Sequence, residues 1–393
     1  MTTTTHIVVI GGGYAGVMAA NRLTRRDDVA VTLVNPRATF VERIRLHQLV
    51  GGTDDAVVDY REVLAGRVRL VVDTVTRIDP DARRLFLAAG EPLTYDYLVY
   101  AVGSRSAAPG VPGGAEHAYP LAGLEQAQRL RAALDDAPAD APVTVVGGGP
   151  TGIETATELA EAGRTVTLVA GETLGPYLHP RGRRTLRRHL AAAGVRVVEG
   201  PGATVTSVAP DAVALADRRR LTSAVTVWTA GFGVPDLAAR SGLRTDDAGR
   251  LLTDETLTSL DDPRIVATGD AAAQSGLPYR MSCQAAVQLG PQAAQTVLSR
   301  LAGERPAPVE VAFVSTCLSL GRRSGLLQLA RRDDTAVGLH LGGRGGARIK
   351  ELICAGTVWQ LAHEARRPGR HDLWARDPRR RALVDAAPAV PAR

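Results

Sequence analysis

His6-Ile-Val-Val-Ile10 runs directly into Gly11-Gly12-Gly13-Tyr14-Ala15-Gly16. A short apolar run, then G-x-G-x-x-G, then a helical pattern is the strand, turn and helix of a dinucleotide site. Gly11 permits the tight turn, Gly13 lets a pyrophosphate approach the backbone, and Gly16 lets the helix pack closely on its strand, while N–H groups at the helix start attract phosphate. The helix is predicted to reach about Arg26, and Val29 to Val34 reads as the second strand. The residue at the end of that strand, where a carboxylate usually binds a ribose, is Asn35, which bonds a hydroxyl without carrying charge.

A solitary G-x-G-x-x-G also occurs in glycine-rich turns that bind nothing, but here the pattern repeats. Val143-Thr-Val-Val146 leads into Gly147-Gly148-Gly149-Pro150-Thr151-Gly152 and a helical stretch from Ile153 to Ala162, followed by a strand over Thr165 to Val169. The two copies could bind two nucleotides, or one could be a silent duplicate; periodicity does not decide which. The acidic position of the second copy is Ala170, followed by Gly171 and Glu172. Glu172 could take over the ribose contact and would repel a 2′-phosphate, which favours NADH, and no arginine follows immediately to receive that phosphate.

Bulk properties bound the remaining possibilities. A chain of 393 residues, 45% hydrophobic and 22% charged, is too long for one core and too apolar to be disordered, so two or three domains are expected. The start shows no leader pattern, which suggests a cytosolic address, and no apolar run approaches the roughly 18 to 20 residues that cross a bilayer, which leaves membrane-surface attachment open. Cys283, Cys317 and Cys354 lie far apart, which suits a reduced compartment and argues against a structural disulfide or a metal cage; no metal is expected. The net charge of +6 is concentrated near the end, in Arg366, Arg367, Arg370, Arg376, Arg379, Arg380 and Arg381. With 4% aromatic residues and otherwise scattered basic ones, nucleic acid is not an expected partner.

Three further stretches carry a resemblance. Leu93-Thr-Tyr-Asp-Tyr-Leu-Val-Tyr-Ala101-Val-Gly103 is similar to the exit from a first FAD segment, and Val227-Trp-Thr-Ala-Gly231-Phe-Gly233 to the exit from an NAD(P) domain. Pro263-Arg-Ile-Val-Ala-Thr-Gly269-Asp270 is similar to a second FAD fingerprint, whose aspartate binds the ribityl chain. Together with the glycine motifs, these residues resemble the pyridine nucleotide-disulfide oxidoreductase superfamily, in which an NAD(P) domain is inserted into an FAD domain. The superfamily's C-x4-C redox pair is absent from Phe40 to His47, so disulfide-reductase chemistry is disfavoured. The closer resemblance is to the type II NADH dehydrogenase-like branch, through Val34-Asn35-Pro36-Arg37, Gly152-Ile-Glu154 and Cys283-Gln284-Ala-Ala-Val-Gln288. The last is similar to that branch's A-Q-x-x-x-Q quinone-site sequence, with Cys283 in place of alanine.

The resemblance implies FAD and NADH or NADPH as cofactors, with Asn35, Pro36, Arg37 and Arg43 passing near the FAD. It also implies that Gln284 and Gln288 lie near the isoalloxazine and face a quinone head group, and that Glu154 sits where hydride arrives. Hydride transfer needs stacked rings and excluded water, and protein acids only tune it, so Glu154 could orient the nicotinamide or relay a proton. Against this, Glu154 also reads as a solvated carboxylate near a helix N-terminus, and Gln284 and Gln288, four apart, as an ordinary polar helix face. Cys283 reads as a small, partly buried residue before it reads as a reactive thiol, Cys317 and Cys354 as core, and His47 and His179 as packing or surface residues before catalytic bases, although by the resemblance His47, like Arg43, falls in the segment that passes near the FAD.

The expected fold class is α/β: two Rossmann-like nucleotide-binding domains and a small α+β C-terminal domain. The segments are FAD-binding over 1–114, NAD(P)-binding over 115–240, FAD-binding again over 241–303, a C-terminal α+β domain over 304–366 and a basic tail over 367–393. In the C-terminal domain Val309 to Ser319, Leu326 to Ala330 and Val337 to Leu341 read as strands. Gly342 to Gly346 reads as a glycine-rich connection, and a helix follows near Ala347 to Ala365. By resemblance this domain covers the flavin or builds a homodimer. Ile349, Leu352, Ile353 and Trp359 beside Arg348 and Lys350 suit either interfacial membrane contact or burial against the FAD domain. The tail reads as solvated, with an anionic surface as a second possibility.

The leading expectation is an FAD-dependent oxidoreductase passing electrons from NAD(P)H to a quinone or related two-electron acceptor. An oxidase, oxygenase or reductase dedicated to one small biosynthetic intermediate, and a nucleotide-binding redox sensor or scaffold, remain open at this point.

Overall fold

The computed structural model describes residues 4–370, 376–377 and 379–387. Its frame is two five-stranded parallel sheets. In the first, β1 (Thr5–Ile10) lies between β2 (Val29–Asn35) and β4 (Tyr97–Tyr100); β3 (Val68–Val72) flanks β2 and β10 (Ile265–Ala267) flanks β4. The second runs β5 (Ala118–Pro120), β9 (Val225–Trp228), β6 (Val143–Val146), β7 (Val166–Gly171) and β8 (Arg196–Glu199) across the sheet. The chain therefore builds the whole second sheet before returning to finish the first. Ile7, Val9, Leu33 and Val99 in one sheet, and Val145, Leu168 and Val227 in the other, are fully buried, as expected for parallel strands covered on both faces.

The two glycine turns fold alike. A side chain on Gly16 would collide with the Gly11 carbonyl oxygen, and one on Gly152 with that of Gly147, so α1 (Tyr14–Leu23) and α3 (Pro150–Glu161) can only begin where they do on glycine. α1 stops at Leu23, short of Arg26, because the Thr24 hydroxyl bonds back to the Asn21 carbonyl at 2.7 Å and closes the last turn. α4 (Cys283–Leu301) starts on Ser282, whose hydroxyl accepts from the Ala285 N–H at 3.2 Å, and crosses α1 where Gly290 leaves room for the Ala15 backbone.

The C-terminal part is an antiparallel sheet, β11 (Ser315–Ser319), β12 (Gly325–Ala330) and β13 (Ala336–Gly342), followed by the long α5 (Gly343–Arg366). Three sequence expectations change here. The strand predicted from Val309 joins the sheet only from Ser315; before it Phe313 makes one isolated bridge to Asp333, and Val309, Val311 and Phe313 are buried. The glycine run after Gly342 belongs to α5: Gly346 lies so close to the Gly325 carbonyl that a side chain would clash. The basic tail is not wholly solvated, since α6 (Arg380–Ala386) docks on the body and Arg380 is 9% exposed. Its acidic partners lie far off in sequence, which hid the docking.

α5 resolves the choice between burial and exposure by doing both. Gly346, Lys350, Cys354, Thr357, Leu361 and Glu364 form its buried stripe, where Glu364 makes an ion pair with Arg22 of α1 and Asn21 donates to the Leu361 carbonyl at 3.2 Å. On the other face Leu352 is 71% and Trp359 51% exposed.

Candidate active site

A cavity of about 890 Å³ lies between the two sheets and the C-terminal layer. Gly13, Tyr14 and Ala15 from the first glycine turn line it, as do Pro150 and Thr151 from the second. Nothing stands within 4 Å of where a side chain would begin on Gly13 or Gly149, so the backbone of each turn presents an open cradle at a helix N-terminus.

The wall beside the first cradle is polar and interlocked. Asp270 accepts from the Ser104 hydroxyl at 2.7 Å and the Ser282 N–H at 3.2 Å, and Arg43 stands 3.8 Å away, donating to Ser104 at 3.1 Å. Ala101, Gly103 and Gly269 complete this part of the lining. Gly269 has φ of +70°, which favours glycine. Tyr14 Oη, Tyr177 Oη, Thr268 Oγ1 and His47 Nε2 belong to lining residues, are sealed from solvent and have no hydrogen-bond partner among the described residues. The open cradle at Gly13 with the cluster of Asp270, Ser104 and Arg43 fits an adenine-dinucleotide flavin at the first turn, and the second cradle fits a nicotinamide dinucleotide.

Glu154 is not a solvated carboxylate. It is 6% exposed, and its Oε1 accepts from Lys350 Nζ at 2.8 Å and from the Ser319 N–H at 2.9 Å. His47 Nδ1 stands 3.9 Å from its Oε2. Burial alone would raise the Glu154 pKa, but the Lys350 ammonium, His47 and the Ser319 bond together hold it below the ordinary value. Burial likewise opposes the Lys350 charge and is outweighed by Glu154, so the lysine pKa is raised. Burial lowers His47 to about 4, leaving it neutral at physiological pH. Three groups on α2 (Leu46–Gly51), α3 and α5 thus meet in the cavity wall.

Other expected site residues divide. Gln284 lines the cavity, but Gln288 is turned away, 2% exposed, with its amide donating to the Gln284 carbonyl at 2.9 Å. Asn35 ties the glycine turn to its own: Oδ1 accepts from Gly12 N–H at 3.0 Å and Nδ2 donates to the Arg37 carbonyl at 2.8 Å. Pro36 is exposed, and Arg37 gives two 2.6 Å bonds to Glu125. Glu172 is exposed and outside the cavity lining, and Gly231, with φ of +81°, precedes the lining residue Phe232. Cys317, expected in the core, lines the cavity with Cys283. Burial raises the pKa of all three thiols, Cys317 to about 12 and Cys354 to about 11, so at neutral pH they are protonated and poor nucleophiles.

Lys350, Arg280, Ser104 and Tyr177 were not singled out from sequence as site residues. For Lys350 a signal existed: it is four residues from both Gly346 and Cys354 and so falls on the buried stripe of its helix.

Known proteins share this sequence pattern and fold. An NADH dehydrogenase-like protein of Mycobacterium tuberculosis is 30% identical over 345 residues, covering 81% of this chain and 86% of the relative. A type II NADH:quinone oxidoreductase of Staphylococcus haemolyticus is 25% identical, with 90% and 95% covered. Among solved structures, NDH2 from Plasmodium falciparum in complex with NADH superposes with a TM-score of 0.78 at 14% identity, covering 92% of this chain and 97% of that one. The sulfide:quinone oxidoreductase of Aquifex aeolicus gives 0.76 at 19%, covering 92% of each chain. The profile of the family described as pyridine nucleotide-disulphide oxidoreductase matches residues 5–295, the span that holds both glycine turns and Asp270, and the chain belongs to that family.

Proposed function

We propose that the protein is an FAD-dependent NAD(P)H dehydrogenase that passes two electrons to a quinone-type acceptor. The observation that carries this reading is that both glycine turns open onto one cavity, so two dinucleotides can bring their reactive ends together there. The relatives named as NADH:quinone oxidoreductases support the acceptor class.

Bound FAD supplies two-electron chemistry that no side chain here can. The chain's own part is placement. The Gly11–Gly16 turn and the start of α1 would hold the pyrophosphate of the flavin nucleotide and Asp270 and Arg43 its ribityl chain, and the Gly147–Gly152 turn and α3 would hold the nicotinamide nucleotide. Gln284 offers a neutral amide to the acceptor. Reducing a quinone with NADH consumes one proton beyond the hydride, and Lys350 Nζ, kept charged by Glu154, holds a proton in the cavity wall. Ala170 leaves nucleotide choice to weaker contacts, with Glu172 favouring NADH.

Anaerobic titration of the holoprotein with NADH and NADPH, followed by a quinone, tests this reading. Bleaching of the flavin at about one equivalent and its recovery on adding the quinone are expected; an unbleached flavin would sink the reading.

The location we propose is cytoplasmic, with peripheral contact at the inner face of the membrane. Leu352 and Trp359 on α5 and Leu339 and Leu341 on β13 are exposed near Arg344 and Arg348, a combination suited to an anionic interface. Among the described residues no helix is long and apolar enough to cross a membrane. Cosedimentation with anionic vesicles is expected, and its loss in Leu352→Glu would identify the face.

A further inference from the structure

The arginines near the C-terminus grip the cavity wall at one place. Arg280 lines the cavity and is held on one side by Asp334 at 3.1 Å. On the other side it donates to Thr316 Oγ1 at 2.9 Å and Gln284 Oε1 at 3.1 Å. Each residue of the Arg280–Asp334 pair has a chain neighbour held by the C-terminal segment. Arg380 lies over the Tyr279 ring at 4.5 Å and donates to the Leu277 carbonyl at 2.6 Å and the Gln274 carbonyl at 3.2 Å. Both oxygens of Glu255, at 2.9 and 3.1 Å, fix its guanidinium. Arg379 pairs with Asp333 at 2.7 Å. Consecutive arginines thus hold Tyr279 and Asp333, each the residue immediately before one member of the Arg280–Asp334 pair.

We propose that Arg380, assisted by Arg379, is a positioning residue for the acceptor end of the cavity: the C-terminal segment fixes the loop over 274–282 and the turn over 331–335, and so orients Arg280 and Gln284. This rests on the oxidoreductase reading above. Cations stacked on rings and paired bidentately lose their geometry when replaced by lysine, so guanidinium shape matters here as well as charge.

The test uses holoenzyme carrying Arg380→Ala, Arg380→Lys or Arg379→Ala. For Arg380→Ala the quinone KM is expected to rise about tenfold, the scale of a loosened charged network, while flavin reduction by NADH changes less than about twofold. Lysine should restore little of the loss, and added guanidinium much of it. Hydrogen exchange should quicken over 274–282 and 331–335 but not in α1. Arg379→Ala, at a more exposed position, should move the same quantities in the same direction by less, and it remains informative should Arg380→Ala not fold. Unchanged KM and unchanged exchange, or a uniform loss of both half-reactions, would overturn the proposal. A wild-type flavin that NADH does not reduce would instead overturn the parent reading, and the exchange pattern would still judge this one.

Discussion

Lys350 and Glu154 are each largely buried, with side chains 11% and 8% exposed, so each charge leans on the other. Removing one partner of such a buried pair strands the second, at a cost of about 3–5 kcal/mol, whereas replacing both by neutral groups of similar shape costs much less. Lys350→Met is therefore expected to lower the urea midpoint sharply and Glu154→Gln/Lys350→Met to recover most of it, while acceptor turnover stays slow in both because the held proton is gone. His47 gives a pH signature. Its folded-state value of about 4 lies below the ordinary 6.5, so between these the unfolded chain binds a proton that the folded chain does not. Stability is then full above about 6.5 and is lost as pH falls toward 4. Glu154, also depressed, adds a loss of the same sign on acidification. His47→Gln should flatten the decline in melting temperature across that window without abolishing it; an unaltered slope would show that the imidazole is not buried neutral.

Elements follow from short-range sequence far better than sites do. Both glycine turns were legible because strand, turn and helix are consecutive and each glycine answers a local steric demand. Gly16→Ala should leave a protein without flavin absorbance, since the new methyl meets the Gly11 carbonyl. Gly152→Ala should keep the flavin but lose its reduction by NADH, and the two spectra distinguish the turns. α5 was half legible. Its apolar exposed residues were seen, but Lys350 was grouped with the solvent-facing arginines, since a lysine beside arginine and glutamate reads as surface until the helix is known to begin at Gly343. Asn35 adds a contact that its position at the strand end did not show: its amide ties the glycine turn at Gly12 to the Arg37 carbonyl.

At the scale of the molecule, the contacts that join the parts connect residues 125 to 342 positions apart and leave no local trace. Arg22 with Glu364, Glu154 with Lys350 and Glu255 with Arg380 are pairings no periodicity encodes. Their energies differ by exposure. Arg22 and Glu364 are buried, so Glu364→Ala is expected to cost about 3–5 kcal/mol in denaturant titration. Arg37 and Glu125 also link the two nucleotide-binding parts, but Glu125 is half exposed, so Glu125→Ala should change stability by no more than about 1 kcal/mol. Equal losses would mean that the two junctions are not built as described.

The placement of the thiols has a practical consequence. Cys283 and Cys317 line the cavity, Cys354 is buried, and burial keeps all three protonated and slow to react. Any molecule that fills the cavity stands between an alkylating reagent and two of the sulfurs. The number of adducts counted by mass spectrometry, with and without flavin, nucleotide or quinone, is then a footprint of occupancy that the native sequence already carries.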